Sequence, residues 1–243
     1  MNVQVAQRRN RPMFAAFLPF LLLFPLADAY AACTERPMPN VDWTGCVLKG
    51  VDLTGANLRG AKLIKANLEG AKLMRANLAN ADLAHAYLAK TNLTEADLRG
   101  ANLTNVSGIG GGSGDAAVLV RANLQGANLT DVHLGNADLS EVNLSGANVT
   151  RVKMDGTTFT HANLAGVRGR WDSVSGVFFE AKLTGANFQG LTLIGDFRRA
   201  DLSGANLSGA NIQHADLTEA ILANANLERV GGGCRGSWDI CSR

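Results

Sequence analysis

The sequence predicts an all-β chain wound into a solenoid of short coils. Three observations carry this. A bulky apolar residue recurs every five positions, as in Leu48, Leu53, Leu58, Leu63 and Leu68. A small residue stands two places before each centre, as in Ala56, Ala61 and Ala66. The positions between are rich in Asn, Asp and Gly. Five fits neither regular element. On an α-helix five residues advance by about 500°, so successive leucines drift by ~140° and share no face. On a flat strand an odd spacing sends alternate leucines to opposite faces. A chain that turns a corner in every repeat points each leucine at a common axis, and its coils stack like on like. Asn, Asp and Gly suit such corners because they tolerate tight-turn dihedrals. The small residue fits because a coil this narrow has little room beside the leucines.

Composition bounds the function classes. The chain has 243 residues, 47% hydrophobic and 18% charged, which excludes wholesale disorder. Formal net charge is +2, and removing the first 32 residues with Arg8, Arg9, Arg11 and Asp28 leaves about zero. Such a chain lacks the basic field of a nucleic-acid binder and the acidity needed to imitate DNA. Aromatics make up 6%, thin for stacking platforms or cofactor pockets.

Residues 1–32 read as a secretory signal. Arg8, Arg9 and Arg11 form a basic n-region, and Phe14 to Leu26 is an apolar stretch too short for a ~20-residue span. Ala27-Asp28-Ala29 and Ala29-Tyr30-Ala31 both fit a small-x-small cleavage site. Asp28, Pro19 and Pro25 argue against an uncleaved anchor, and Asn10-Arg11-Pro12 is a poor twin-arginine context. Cys33 follows small residues as a lipidated cysteine would, but Tyr30 stands where Leu is usual. Every one of these readings places the mature chain outside the cytoplasm, in the periplasm or secreted. Membrane association is expected only if Cys33 is lipidated or the signal is retained.

Residues 33–45 are expected to form an N-terminal cap, and 46–230 the repeats. The centres run through Leu103, resume at Leu119, and continue through Leu164, Phe178 to Phe197, and Leu202 to Leu227. This A-[N/D]-L-x-G pattern resembles the pentapeptide-repeat family. The resemblance implies a right-handed quadrilateral parallel β-helix, four repeats to a coil and ~4.8 Å between coils. About 33 repeats then make roughly eight coils.

Two stretches break the pattern, 106–117 and 167–177. The first, Val-Ser-Gly-Ile-Gly-Gly-Gly-Ser-Gly-Asp-Ala-Ala, lacks the Gly-Lys-Ser/Thr of a phosphate loop and reads as an excursion. The second carries Arg168, Arg170 and Trp171, a candidate interaction patch set against a plainer reading in which Trp171 folds over the side of the solenoid and the arginines are solvated. Leu193 to Phe197 is one residue short, and a pinched coil is expected there.

Cys33, Cys46, Cys234 and Cys241 are an even set in a chain read as exported, hence disulfide candidates. Of three connectivities, the local pairs 33–46 and 234–241 suit an architecture that separates the ends. Residues 231–243 form a Cys-containing tail.

Catalytic chemistry is not visible. His85, His133, His161 and His214 do not recur at the 20-residue spacing that would stack them, and no zinc or nucleophile-elbow motif occurs. Outward Thr does not form continuous columns. The expected function is a non-enzymatic scaffold or protein-interaction surface with a protein partner in the cell envelope. No cofactor, metal, nucleic acid or small-molecule substrate is expected. The family resemblance also implies an alternative, imitation of DNA toward DNA gyrase, which neutral charge and an export signal disfavour.

Overall fold

The computed structural model describes residues 32–111, 114–169, 171 and 174–232. The sequence periodicity becomes a four-sided parallel coil. On one side, the rungs Asp42, Lys62, Asp82, Asn102, Asn128, Asn148 and Arg168 bridge one to the next, and Asn187, Asn206 and Asn226 continue after them. These ten levels at ~4.8 Å make a rod of about 43 Å. The count exceeds eight coils because degenerate repeats also wind. Val41 and Trp43 are 2% and 3% exposed and already occupy the inward positions of the first coil, so the cap gives way to the solenoid before residue 46.

Each side is one bridged residue followed by a turn. The Leu58 amide donates to the Asn77 carbonyl at 2.7 Å, and the Asn77 amide donates to the Ala56 carbonyl at 2.9 Å. The Ala61 amide then closes the corner onto the Leu58 carbonyl at 3.0 Å. The third residue of that turn has φ near +60°, as in Gly60 (67°) and Lys65 (57°), the geometry of a type II turn. Parallel crossovers of this kind wind right-handed. The fold is a right-handed quadrilateral β-helix.

The Asn or Asp before each centre serves the corner through its side chain, which the sequence reading assigned only to dihedral tolerance. The Oδ1 of Asn77 accepts from the Ala79 amide at 3.1 Å, and that of Asp97 from the Arg99 amide at 3.1 Å. These are Asx turns, and they satisfy a backbone donor that the corner would otherwise leave to solvent.

Inside, Leu58 through Leu103 are fully buried with their small partners Ala61, Ala66 and Ala76. Each buried leucine contributes ~1.5–3 kcal/mol. Where Thr replaces the small residue, its hydroxyl bonds inward: Thr91 to the Leu68 carbonyl at 2.7 Å and Thr157 to the Leu134 carbonyl at 2.9 Å.

The first break is an excursion closed at its base. The coil step lengthens from 20 residues (Tyr87 to Ser107) to 26 (Asn92 to Val118). The Ala117 amide donates to the Gly108 carbonyl at 2.9 Å, and Ile109 stays fully buried, so the stretch still fills its place in the core.

At the other irregularities the corner disappears rather than pinching. Strands β1 (Thr157–Thr158), β2 (Val174–Val177), β3 (Thr192–Asp196) and β4 (Asn211–Asp216) form a parallel sheet in that order. Leu193 to Phe197 and Val174 to Phe178 are four-residue spacings. An even spacing puts both side chains on the same face of an extended strand, so no turn is needed. In β4 the spacing from Ile212 to Leu217 is again five, and the pairing with β3 shifts register between Thr192 and Ile194 to absorb it. Phe159, Phe178 and Phe197 stack inside this strip, with centroids 5.1 and 4.5 Å apart.

Candidate functional site

With the interior filled, anything the protein does toward a partner falls to its outer columns. Four sides can be told apart by their centres: the first carries Trp43 and Leu63, the second Leu48 and Leu68, the third Leu53 and Leu73, the fourth Leu58 and Leu78.

The corner between the third and fourth sides holds an ordered charge ladder. Its residues, one per coil, are Arg75, Glu95, Arg121, Glu141, His161, Glu180, Arg199 and Glu219. Arg75 Nε bonds Glu95 at 2.7 Å, and Arg121 Nε bonds Glu141 at 2.9 Å while its Nη1 stands 3.9 Å from Glu95. His161 Nδ1 lies 3.2 Å from Glu180, and Arg199 reaches Glu180 at 3.1 Å and Glu219 at 2.8 Å. All eight sit at positive φ, between 54° and 60°. A side chain in that region costs about 1–2 kcal/mol relative to glycine. This corner therefore accepts strained residues where the next corner uses glycine at most levels, with Asn80 and Asn224 as exceptions. The bond to Arg75 holds the Glu95 carboxyl below its ordinary range, and the bond to Arg121 does the same for Glu141.

The fourth and first sides are different. From Asn123 to Ala165 the outward positions of the fourth side are uncharged, Asn143, Ser145 and Asn163 among them, before Lys182 and Asp201 follow in the same column, and glycine turns its corner at Gly126, Gly146, Gly166, Gly185 and Gly204. The first side carries a short polar lattice. Asn128 Nδ2 donates to Thr104 Oγ1 at 2.9 Å, and Asn148 Nδ2 donates to Asn128 Oδ1 and Thr130 Oγ1, both at 3.2 Å. Thr104, Thr130 and Thr150 thus make a three-coil Thr column, against the expectation of none. Each hydroxyl donates to the Asn of its own turn at 2.6–2.7 Å.

At the second break the structure describes two of the three patch residues, Arg168 and Trp171. Trp171 is 1% exposed, so it is neither a surface anchor nor a cover over the side. The reason is register. Arg168 bridges Asn148, so the central position of this repeat falls on Gly169, which has no side chain. Trp171 supplies the missing bulk and packs on Phe188, the centre of the next coil, at 5.3 Å. Its Nε1 has no partner among the described residues, nor has that of Trp43. Arg168 is exposed and donates to the Gly146 carbonyl through Nη2 at 3.0 Å. Arg170 lies outside the described residues.

Cys33 and Cys46 are joined, with Cα atoms 5.6 Å apart. A sulfur in that bond has no valence left for a thioether lipid. Cys234 and Cys241 lie outside the described residues, as do residues 1–31 of the stretch that the sequence reads as a signal. Among the described residues no group of His, Cys, Asp and Glu could hold a metal ion, and no helix is long and apolar enough to cross a membrane.

The charge ladder was not found from sequence. Its signal exists: the second residue after each third-side centre from Leu73 to Leu217 alternates between basic and acidic when read one coil at a time. The coil steps are 20, 26 and 19 residues at different levels, so a fixed-period scan loses it.

Several solved structures are similar to the chain. HetL, a pentapeptide repeat protein involved in heterocyst differentiation regulation from the cyanobacterium Nostoc sp. strain PCC 7120, is 28% identical over 86% of this chain and 95% of its own, with a TM-score of 0.39. Full-length QnrB1, a plasmid-mediated fluoroquinolone resistance protein, is 18% identical over 79% and 93%, with a TM-score of 0.38. A pentapeptide repeat protein of the Arabidopsis thaliana thylakoid lumen is 33% identical over 46% and 66%, with a TM-score of 0.27. No curated protein sequence matches at a significant level. The profile of pentapeptide repeats matches residues 40–70, 71–107, 117–156, 137–168 and 196–230, and together with the five-residue coil this means that the chain belongs to the pentapeptide repeat family.

Proposed function

We propose that the protein is an exported, non-catalytic solenoid that serves as a scaffold or docking surface for a protein partner in the cell envelope. One observation supports this above others: the inward columns are filled from Val41 to Leu217, which leaves the outer faces, with their surface depressions, to meet a partner. The middle of the fourth and first sides suits a flat partner best, since uncharged residues cover them from Asn123 to Ala165 and from Asn102 to Thr150, and the corner between them is glycine at Gly126, Gly146 and Gly166. The DNA-imitating alternative needs a run of like charge, whereas the charged corner alternates in sign.

The test uses the full chain in cells, with a photo-crosslinking residue at Ser145 or Thr184 on the fourth side, or at Lys49 on the second. The proposal predicts a discrete adduct from the fourth side, in the envelope fraction, and none from the second. Adducts from no side, or a full-length chain recovered in the cytosol with its N-terminus intact, would contradict it. Purified mature protein that protects gyrase supercoiling at low stoichiometry would favour the alternative.

A further inference from the structure

The third side carries apolar residues that the fold leaves on the outside. Val118 is 43% exposed, and Val120, Val177 and Phe179 are partly exposed on the same side. Each coil presents three outward residues here, so the side is three parallel columns. The bridged column runs from Lys72 to Val118 and from Asp138 through Val177 to Asp216. The middle column holds Val120, Ser140, Thr160 and Phe179. The last column is the charge ladder at the corner.

Read backwards, these columns complement themselves. Consider a two-fold axis perpendicular to the rod, level with the gap between Glu141 and His161. It brings in a second copy with its coils in reverse order and its third side against the first copy's third side. In the ladder, Arg75 then meets Glu219, Arg121 meets Glu180 and Glu141 meets His161. In the bridged column Lys72 meets Asp216, and Val118 meets Val177. In the middle column Val120 meets Phe179, and Ser140 meets Thr160. Among these described residues no like charges meet. Other registers lose the match. A slide of one coil sets Arg75 on Arg199. A slide of two coils keeps the ladder opposite in sign but sets Val118 on Asp138 or on Asp216.

We propose that the third side binds a second copy of this chain, antiparallel and side by side, in that one register. The ladder selects the register and the apolar pairs supply the burial. Each ladder charge keeps its partner on its own chain, as Arg121 does with Glu141, and gains another across the axis. Eight levels at ~4.8 Å and three columns at ~3.4 Å make a face of roughly 34 by 10 Å. A face of that size gives a weak dimer, and its charges make it weaker in salt. Both fourth sides then point the same way and lie next to each other.

Sedimentation velocity and small-angle scattering of the oxidised chain purified from cells test this. The expected result at low salt is a dimer by about 100 µM that keeps the length of a single rod. Val118→Lys, with its circular dichroism unchanged, should weaken the dimer by about 10-fold or more, because the cation loses water against Val177. Val118→Lys/Val177→Glu should restore it, because the two substitutions meet twice across the axis. A chain that stays monomeric at that concentration would overturn the proposal, and so would a dimer of doubled length. A dimer that survives Val118→Lys, or that the paired substitution fails to restore, would overturn it as well.

Discussion

Arg121 bonds Glu141 one coil away at 2.9 Å and faces Glu95 on the preceding coil at 3.9 Å. Arg121 is thus shared between carboxylates above and below, and the pattern repeats at Arg199 between Glu180 and Glu219. The backbone places all of them at positive φ on one edge. Their alignment follows from the coil, and their alternation removes the like-charge stacking that an ordered column would otherwise impose.

Reversing one rung tests this. Glu141→Lys puts a cation against Arg121 and should lower Tm by about 1–3 °C at low salt. His161→Arg places a permanent cation between Glu141 and Glu180 and should raise Tm slightly. Both differences should shrink in 1 M salt, where the screening length is about 3 Å. Differences that persist in salt would assign the effect to packing instead.

Acid should weaken the fold in a defined window. Bonds from Arg75, Arg121, Arg151 and Arg198 hold the carboxyls of Glu95, Glu141, Asp131 and Asp196 below their ordinary values. Unfolding restores the ordinary values of 4.5 for Glu and 3.8 for Asp. A depressed folded value contributes stability that is complete above the unfolded value and is lost as pH falls through the folded one. Thermal melts should therefore be flat from pH 8 to about 5 and decline below 4.5. A decline beginning near neutrality would contradict the assignment.

Trp171 should behave as core. Trp171→Ala is expected to cost about 3–5 kcal/mol, read as a lower urea midpoint at unchanged slope. Trp171→Phe should stay near the parent, because it keeps most of the bulk and removes the unpartnered Nε1. A neutral Trp171→Ala would restore the surface-patch reading.

Gly195 and Gly176 pair across β2 and β3, and a Cβ on either meets a carbonyl oxygen of the adjacent strand, that of Gly176 or of Thr157. Gly195→Ala should cost about 2–3 kcal/mol. Gly146→Ala meets nothing within 4 Å and should cost only the ~1 kcal/mol of its left-handed backbone. Equal costs in chemical denaturation would remove the steric argument.

What was readable from sequence tracks what is local. The inward column from Leu48 to Leu227 is visible because each member lies five residues from the next. The Cys33–Cys46 pair is visible because both cysteines lie at one end. Register across coils is a different matter. The strand at Leu193–Phe197 followed from the parity of its spacing, yet it read as a pinch because a corner was assumed in every repeat. Trp171 read as a patch residue or a cover over the side because its repeat has glycine at the centre, and only the pairing of Arg168 with Asn148 reveals the vacancy it fills. The ladder required both kinds of information, the sign of each corner residue and the length of each coil.

Leu124 and Gln125 are neighbours in the chain, and the account places the first wholly inside and the second in water. Thermal melts of Leu124→Asp and Gln125→Asp, compared in the same buffer, test that placement most directly. The predicted result is a loss of about 4 kcal/mol or more for Leu124→Asp and a change within about 0.5 kcal/mol for Gln125→Asp. Matching transitions for the two variants would contradict the shared interior column on which the fold and its functional reading rest.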